Sequence, residues 1–275
     1  MANDYLVDKV DLEAVANKLR EMSGTEEKIL FPQGYEKRIE DVYESGKQAE
    51  YDAFWDSFQQ NGKRGNYMGA FGGMGWTIDT FKPKYPIILN GLIVADYMFY
   101  AFNRISSADN EDDLFDFTEF NSKTDFSKSK RFTYTFANAR IKNLYVDCSS
   151  AAEITWAFSS DNGGYLDNLT LKVTPTTTRF VGAFQYQSHM KNLTFTEDSE
   201  IAASIDFQWS TKLTHDSVVS IINALSSTTT GLSVTISKTA VNKAFETSTG
   251  AKDGSTSAEW LALVATKTNW TINLV

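Results

Sequence analysis

Apolar and polar residues alternate with a period of two in five short segments of the chain's second half. These are Asn143-Leu144-Tyr145-Val146-Asp147, Asn168-Leu169-Thr170-Leu171-Lys172, Asn192-Leu193-Thr194-Phe195-Thr196, Ser204-Ile205-Asp206-Phe207-Gln208 and Gly231-Leu232-Ser233-Val234-Thr235. That alternation lines one face of a strand with apolar side chains. The lead apolar residue falls at 144, 169, 193, 205 and 232, in steps of 25, 24, 12 and 27 residues. A self-similar period near 25 predicts a solenoid in which each repeat adds one strand to a growing sheet. Ile87-Ile88-Leu89 and Leu92-Ile93-Val94 read as its starting strands. A second element precedes most strands: Tyr100-Ala101-Phe102-Asn103, Tyr134-Thr135-Phe136-Ala137-Asn138, Trp156-Ala157-Phe158 and Gly182-Ala183-Phe184. Its Phe predicts a buried ring on the wall opposite the sheet.

The first part of the chain carries a different period. Leu12, Val15, Ala16, Leu19 and Met22 fall on one face of a helix that Asp11 can cap, with Gly24 as its stop. A second helical stretch runs from about 35 to 60. Its Ile39, Val42, Gly46, Ala49 and Ala53 follow three- and four-residue steps. The seam reads as a packing stripe within one chain or as an oligomeric contact. Residues 61–86 form a connector rich in glycine and aromatics, closed by Pro83 and Pro86. Near the C-terminus, Thr214 begins a helix with Val218, Ile221, Ile222 and Leu225 on one face, and a last helix spans about 258–267. Both read as a cap over an open sheet edge.

Composition narrows the function. The formal net charge of -9 over 275 residues disfavours nucleic acid and anionic membrane, which need a cationic face. No apolar run reaches the roughly 18 to 20 residues that span a bilayer. The opening Met-Ala-Asn-Asp-Tyr has no signal-peptide pattern, so the expected site of synthesis is a cytoplasm. The single cysteine, Cys148, reads as a small buried hydrophobe.

Catalytic constellations are scarce. Thr214-His215-Asp216-Ser217 holds residue types familiar from hydrolases, but one helical turn cannot give the linear contacts of a triad, and capping explains it. His189 reads as a turn residue. The acidic run Asp109, Glu111, Asp112, Asp113 and Asp116 has no glycine within it for an EF-type turn and reads as a solvated loop. The glycines of 69–75 read as structural, because no Lys-Ser/Thr pair follows. No catalytic residue, metal ligand or cofactor is therefore expected. Strand alternation instead sends Tyr145, Thr170, Thr194, Asp206 and Ser233 outward, followed by Asp147, Lys172, Thr196, Gln208 and Thr235. From these rows Tyr145, Lys172, Thr194, Thr196, Asp206 and Gln208 are the candidate ligand-binding residues. Such a stripe suits hydrogen bonding to a glycan or a protein loop, and equally a merely soluble sheet face.

Three stretches resemble a known family. Tyr5-Leu6-Val7 through Asp11-Leu12-Glu13-Ala14-Val15-Ala16-Asn17-Lys18-Leu19-Arg20, with Gly24-Thr25 and Phe31-Pro32-Gln33-Gly34-Tyr35, is similar to the N-terminal segment of phage and prophage tail-associated proteins of Gram-positive gut bacteria. Tyr51-Asp52-Ala53-Phe54-Trp55-Asp56, Gln60-Asn61-Gly62, Gly75-Trp76-Thr77 and Thr80-Phe81-Lys82-Pro83-Lys84-Tyr85 resemble their connector. Leu213-Thr214-His215-Asp216-Ser217, Ile221-Ile222-Asn223-Ala224-Leu225 and Ala265-Thr266-Lys267 to Trp270-Thr271 resemble the closing units of their BspA-like leucine-rich repeats. The middle repeats depart from that pattern, with Phe and Ile at several leucine positions.

The resemblance implies a virion component, made in the host cytoplasm. The expected fold class is α+β: a helical attachment region over 1–80, then a leucine-rich-repeat-like β-solenoid with a helical cap over 81–275. The implied partners are other virion proteins, bound through the N-terminal helices, and a host-surface glycan or protein. A homo-oligomer, with a trimer favoured, is expected. A bacterial surface adhesin or a non-catalytic binding module is the alternative.

Overall fold

The computed structural model describes residues 17, 18, 21, 49, 87–88, 93–102, 114–122, 124–160, 164–246 and 253–275. The chain divides into two compact units, Met1–Phe58 and Gln59–Val275. In the first, the described residues Asn17, Lys18, Glu21 and Ala49 are helical. Lys18 Nζ lies 2.9 Å from Glu21 Oε2, one turn away. The rest of the expected N-terminal helices, the glycine-rich connector and the acidic run 109–113 lie outside the described residues.

The second unit opens with short strands: β1 (Ile87–Ile88), β2 (Ile93–Val94), β3 (Phe115–Asp116), then helix α1 (Thr118–Asn121) and β4 (Thr124–Asp125). Six more follow: β5 (Ser129–Thr133), β6 (Arg140–Lys142), β7 (Tyr145–Asp147), β8 (Glu153–Thr155), β9 (Tyr165–Asp167) and β10 (Leu169–Lys172). The C-terminal part carries β11 (Leu193–Phe195), β12 (Ile205–Phe207), α2 (His215–Ala224), β13 (Leu232–Ile236), α3 (Lys238–Ala244), α4 (Ala258–Ala265) and β14 (Trp270–Leu274). Every pairing between these strands is parallel. The strands form five small sheets: β1-β4, β2-β5-β8, β3-β6-β9, β7-β10-β11 and β12-β13-β14.

Left-handed residues explain why the sheets stay small. Tyr134 (φ 54°) follows β5 directly and Trp156 (φ 54°) follows β8. Asn143 (φ 58°) separates β6 from β7, and Asn168 (φ 49°) separates β9 from β10. Asparagine tolerates this conformation better than other non-glycine residues. Its amides also stitch the corners together. Asn168 Nδ2 donates to Asn143 Oδ1 at 2.8 Å, and Asn121 Nδ2 donates to the Asn143 carbonyl at 2.7 Å. The Tyr145 amide donates to Asn121 Oδ1 at 3.0 Å.

The core is a file of phenylalanine rings. Phe99 stacks on Phe136 at 5.2 Å, Phe136 on Phe158 at 5.8 Å, Phe158 on Phe184 at 5.4 Å, and Phe184 meets Phe207 at 4.7 Å. All five are buried. Each buried ring contributes roughly 1.5–3 kcal/mol of transfer free energy. The first member is Phe99, not Phe102 as the sequence suggested; Phe102 packs edge-on against Phe115 at 5.0 Å. Cys148 is buried, and burial pushes its thiol well above the usual range.

The expected α+β solenoid is corrected by this architecture. The second unit is mixed α/β, built from small, open parallel sheets, and it is not a leucine-rich-repeat-like solenoid. The five repeated segments do not make one stacked ribbon. Three pair in one sheet, with Tyr145 opposite Thr170 and Thr170 opposite Thr194. The other two belong to β12-β13-β14, where Ile205 pairs with Val234 and Leu232 pairs with Trp270. The repeat register thus slips by two residues at that point. The two expected C-terminal helices are present as α2, which follows Thr214, and α4, so helix in the described residues is concentrated in the C-terminal half and not in an N-terminal region. Among the described residues three of the four complete helices follow residue 214. Parallel neighbours require a crossover connection. In the C-terminal part that crossover is helical, because Val218, Ile221 and Ile222 bury one face of α2 and Ala240 and Val241 one face of α3. What reads as a terminal cap is strand–helix alternation, ending in a paired strand. The stretch 121–130 contains β4 and the start of β5. Among the described residues no helix is long and apolar enough to cross a membrane.

Candidate functional site

The β7-β10-β11 sheet positions the first four candidate residues. Val146, Leu171 and Phe195 point into the core, so the residues between them point out. Tyr145, Thr170 and Thr194 form one in-register row across the three strands. Thr194 is exposed, and Tyr145 and Thr170 are half-buried. Burial raises the Tyr145 hydroxyl above its ordinary pKa, and the neighbouring Asp147 carboxylate adds to the shift. The tyrosine therefore stays a neutral donor and acceptor.

The next row is committed to the protein itself. Lys172 Nζ lies 2.5 Å from Asp198 Oδ2. Thr196 Oγ1 donates to Asp198 Oδ1 at 2.6 Å and lies 2.8 Å from Ser199 Oγ. The lysine bond holds the Asp198 carboxyl below its usual range, and the same bond raises Lys172. Asp206 and Gln208 are not brought to this face. They lie in and just after β12, in a different sheet, where Gln208 Nε2 donates to Asp206 Oδ2 at 2.7 Å. The six sequence-derived residues thus divide into a sheet row, an ion-paired knot and a separate local turn.

Helix α2 flanks the row along β11. The Leu193 amide donates to Ser217 Oγ at 2.9 Å, and the Phe195 amide donates to Ser220 Oγ at 2.8 Å. Two serines three residues apart on the helix thus meet two amides two residues apart on the strand. They satisfy donors that an edge strand leaves open. Between this helix and the end of β11 lies a cavity of about 350 Å³, lined in part by Thr196, Glu197, Asp216, Ser220 and Asn223. Sequence reasoning missed it, because its walls come from segments about 20 residues apart.

A second surface feature lies at the ends of β5 and β8. Tyr97 stacks on Tyr134 at 5.1 Å, and Tyr134 on Trp156 at 5.9 Å. The file closes over Gly182, where an added Cβ would sit 2.8 Å from the Trp156 ring. Its signal was present in the chain as an aromatic or glycine two places before the first four core Phe residues: Tyr97, Tyr134, Trp156 and Gly182. Beside it runs a file of alternating charge. Arg131 Nε donates to Asp96 Oδ2 at 2.8 Å, Arg131 pairs with Glu153 in register, and Glu153 lies 3.5 Å from Arg179. Rings stacked face to face offer only their edges to a partner, and the charges neutralise one another. This face therefore reads as structural.

His215 and His189 have distinct surroundings. His215 Nδ1 lies 3.1 Å from Asp216 Oδ1, and Nε2 lies 2.8 Å from Glu259 Oε1. Both carboxylates raise its pKa, Asp216 foremost. Ser217 is occupied with the edge strand, so no nucleophile–base–acid line forms. His189 packs on the Tyr165 ring at 5.1 Å. No family model matches this chain, and no curated protein or solved structure matches it.

Proposed function

We propose that the chain is a non-catalytic attachment protein of a virion, which offers the outer face of β7-β10-β11 to a glycan or protein on a host surface. The observation that carries this reading is the in-register row Tyr145, Thr170 and Thr194. Its strands are fixed from beneath by buried Val146, Leu171 and Phe195 and from the side by Ser217 and Ser220. Hydroxyls held on such a frame lose little conformational entropy on binding. The resemblance of the opening and connector segments to phage tail-associated proteins supports attachment of the N-terminal part to other virion proteins, as a homo-oligomer, with a trimer favoured.

Two experiments test this. Purified chain should bind host cells, and Thr170→Arg and Thr194→Arg should abolish that binding while leaving the circular dichroism spectrum unchanged. Cells that bind both folded variants as well as the parent would refute the sheet face as the contact. Deleting residues 1–60 should leave a soluble remainder that no longer enters particles. Particles that still carry the truncated chain would remove the attachment role of that segment.

A further inference from the structure

A cavity of about 290 Å³ lies at the start of α2, lined by Lys191, Lys212, Leu213, Thr214, His215, Lys243 and Ala244. Its lysines come from three separate segments: the stretch before β11, the loop before α2 and the last turn of α3. In a chain of net charge -9, three lysines among the lining residues of one cavity make a local concentration of cationic side chains. Lys212 and Lys243 are exposed and make no ion pair among the described residues. Asp216 and Glu259 hold His215 from the side but do not line the cavity.

The start of the helix adds to this field. The Thr214 side chain caps no amide of the first turn of α2 and instead lies 2.9 Å from Ser217 Oγ. First-turn amides and the helix dipole favour an anion, and the lysines favour the same charge. Apolar lining from Leu213 and Ala244 and a hydroxyl from Thr214 suit a ligand that is not a bare ion. The volume is near the lower end, about 300 Å³, of small-molecule sites.

We infer that this cavity binds the acidic group of a saccharide, a carboxylate or a sulfate, through Lys191, Lys212 and Lys243. This rests on the attachment reading and names a ligand class for it, at a second site away from the sheet face. The lysines would hold the anion, while Thr214 and the apolar lining would contact the sugar ring.

Isothermal titration of the full chain with a sulfated uronic-acid disaccharide tests it, with the neutral disaccharide cellobiose and inorganic sulfate as separate arms. The acidic disaccharide should bind, and binding should weaken as salt rises. Lys212→Ala with Lys243→Ala should weaken it roughly tenfold or more, whereas Lys130→Ala, on the exposed side of β5, should not. Equal binding of cellobiose, or of sulfate alone, would overturn the assignment, as would a folded double variant that binds like the parent. Cell binding that survives the lysine double variant but is lost in Thr170→Arg would sink this inference and leave the attachment reading standing. Loss in the reverse pattern would uphold the cavity and remove the sheet face.

Discussion

The Ser217 hydroxyl accepts the Leu193 backbone amide at 2.9 Å and itself donates to the Lys191 carbonyl at 3.1 Å. One buried serine thereby completes the hydrogen bonding at the outer edge of β11, and Ser220 repeats the contact at Phe195. Ser217→Ala leaves the buried Leu193 amide without its acceptor, while the Lys191 carbonyl keeps the Thr214 amide, so it should cost about 1–3 kcal/mol. Urea unfolding would measure this. Ser220→Ala should cost less, since its residue is only half-buried. Equal stability of Ser217→Ala and the parent would show that the edge amide finds another acceptor.

Gly182→Ala should destabilise the chain by about 1–3 kcal/mol. The glycine has φ +61°, and a Cβ there would meet the Trp156 ring at 2.8 Å. The ring must move, so the change should shift tryptophan emission as well as the unfolding midpoint. An unshifted spectrum in a destabilised variant would place the cost in the backbone alone.

Stability should depend on pH through His215. Its folded-state pKa is raised by Asp216 and Glu259. The contribution is fully present below the ordinary histidine value of about 6.5 and is lost as pH rises through the raised folded value. The Phe245 ring packs on it at 4.8 Å, and Lys191, Lys212 and Lys243 stand around the adjoining cavity and oppose its charge. The ring is partly exposed, so solvent screening keeps the effect below about 1 kcal/mol. The Tm difference between parent and His215→Gln should be largest near pH 6 and shrink toward pH 9, and Glu259→Gln should flatten that slope. A difference that grows with pH would refute the pairing.

Gln187→Met should raise stability by about 1 kcal/mol. Gln187 is fully buried, and neither side-chain amide atom finds a hydrogen-bond partner among the described residues. Methionine nearly conserves the volume and removes the desolvation cost. Thermal unfolding of the two proteins decides it.

Much of this was legible at the level of single strands. The alternation at 144–146, 169–171 and 193–195 gave the buried faces, because period two depends only on local geometry. The five-segment ribbon was not legible, since pairing depends on which chain lies alongside. Ile205 and Leu232 share the pattern of Leu169, yet they sit two residues out of register in another sheet. The first Phe of the core file was misplaced by three residues, because Tyr97-Met98-Phe99 and Tyr100-Ala101-Phe102 share the same Tyr-X-Phe spacing. The face of Tyr145 and Thr194 followed from alternation. The lysine-lined cavity did not, because Lys191, Lys212 and Lys243 come together only through packing of α2 on β11 and α3.

Cys148 is the only sulfhydryl in the chain, and it lies wholly inside, just after β7. Folded molecules should therefore ignore a thiol reagent, and each labelling event should record one excursion in which the interior between β7 and β8 is laid bare. The protein thus carries its own clock for breathing motions, readable by mass without any engineered probe.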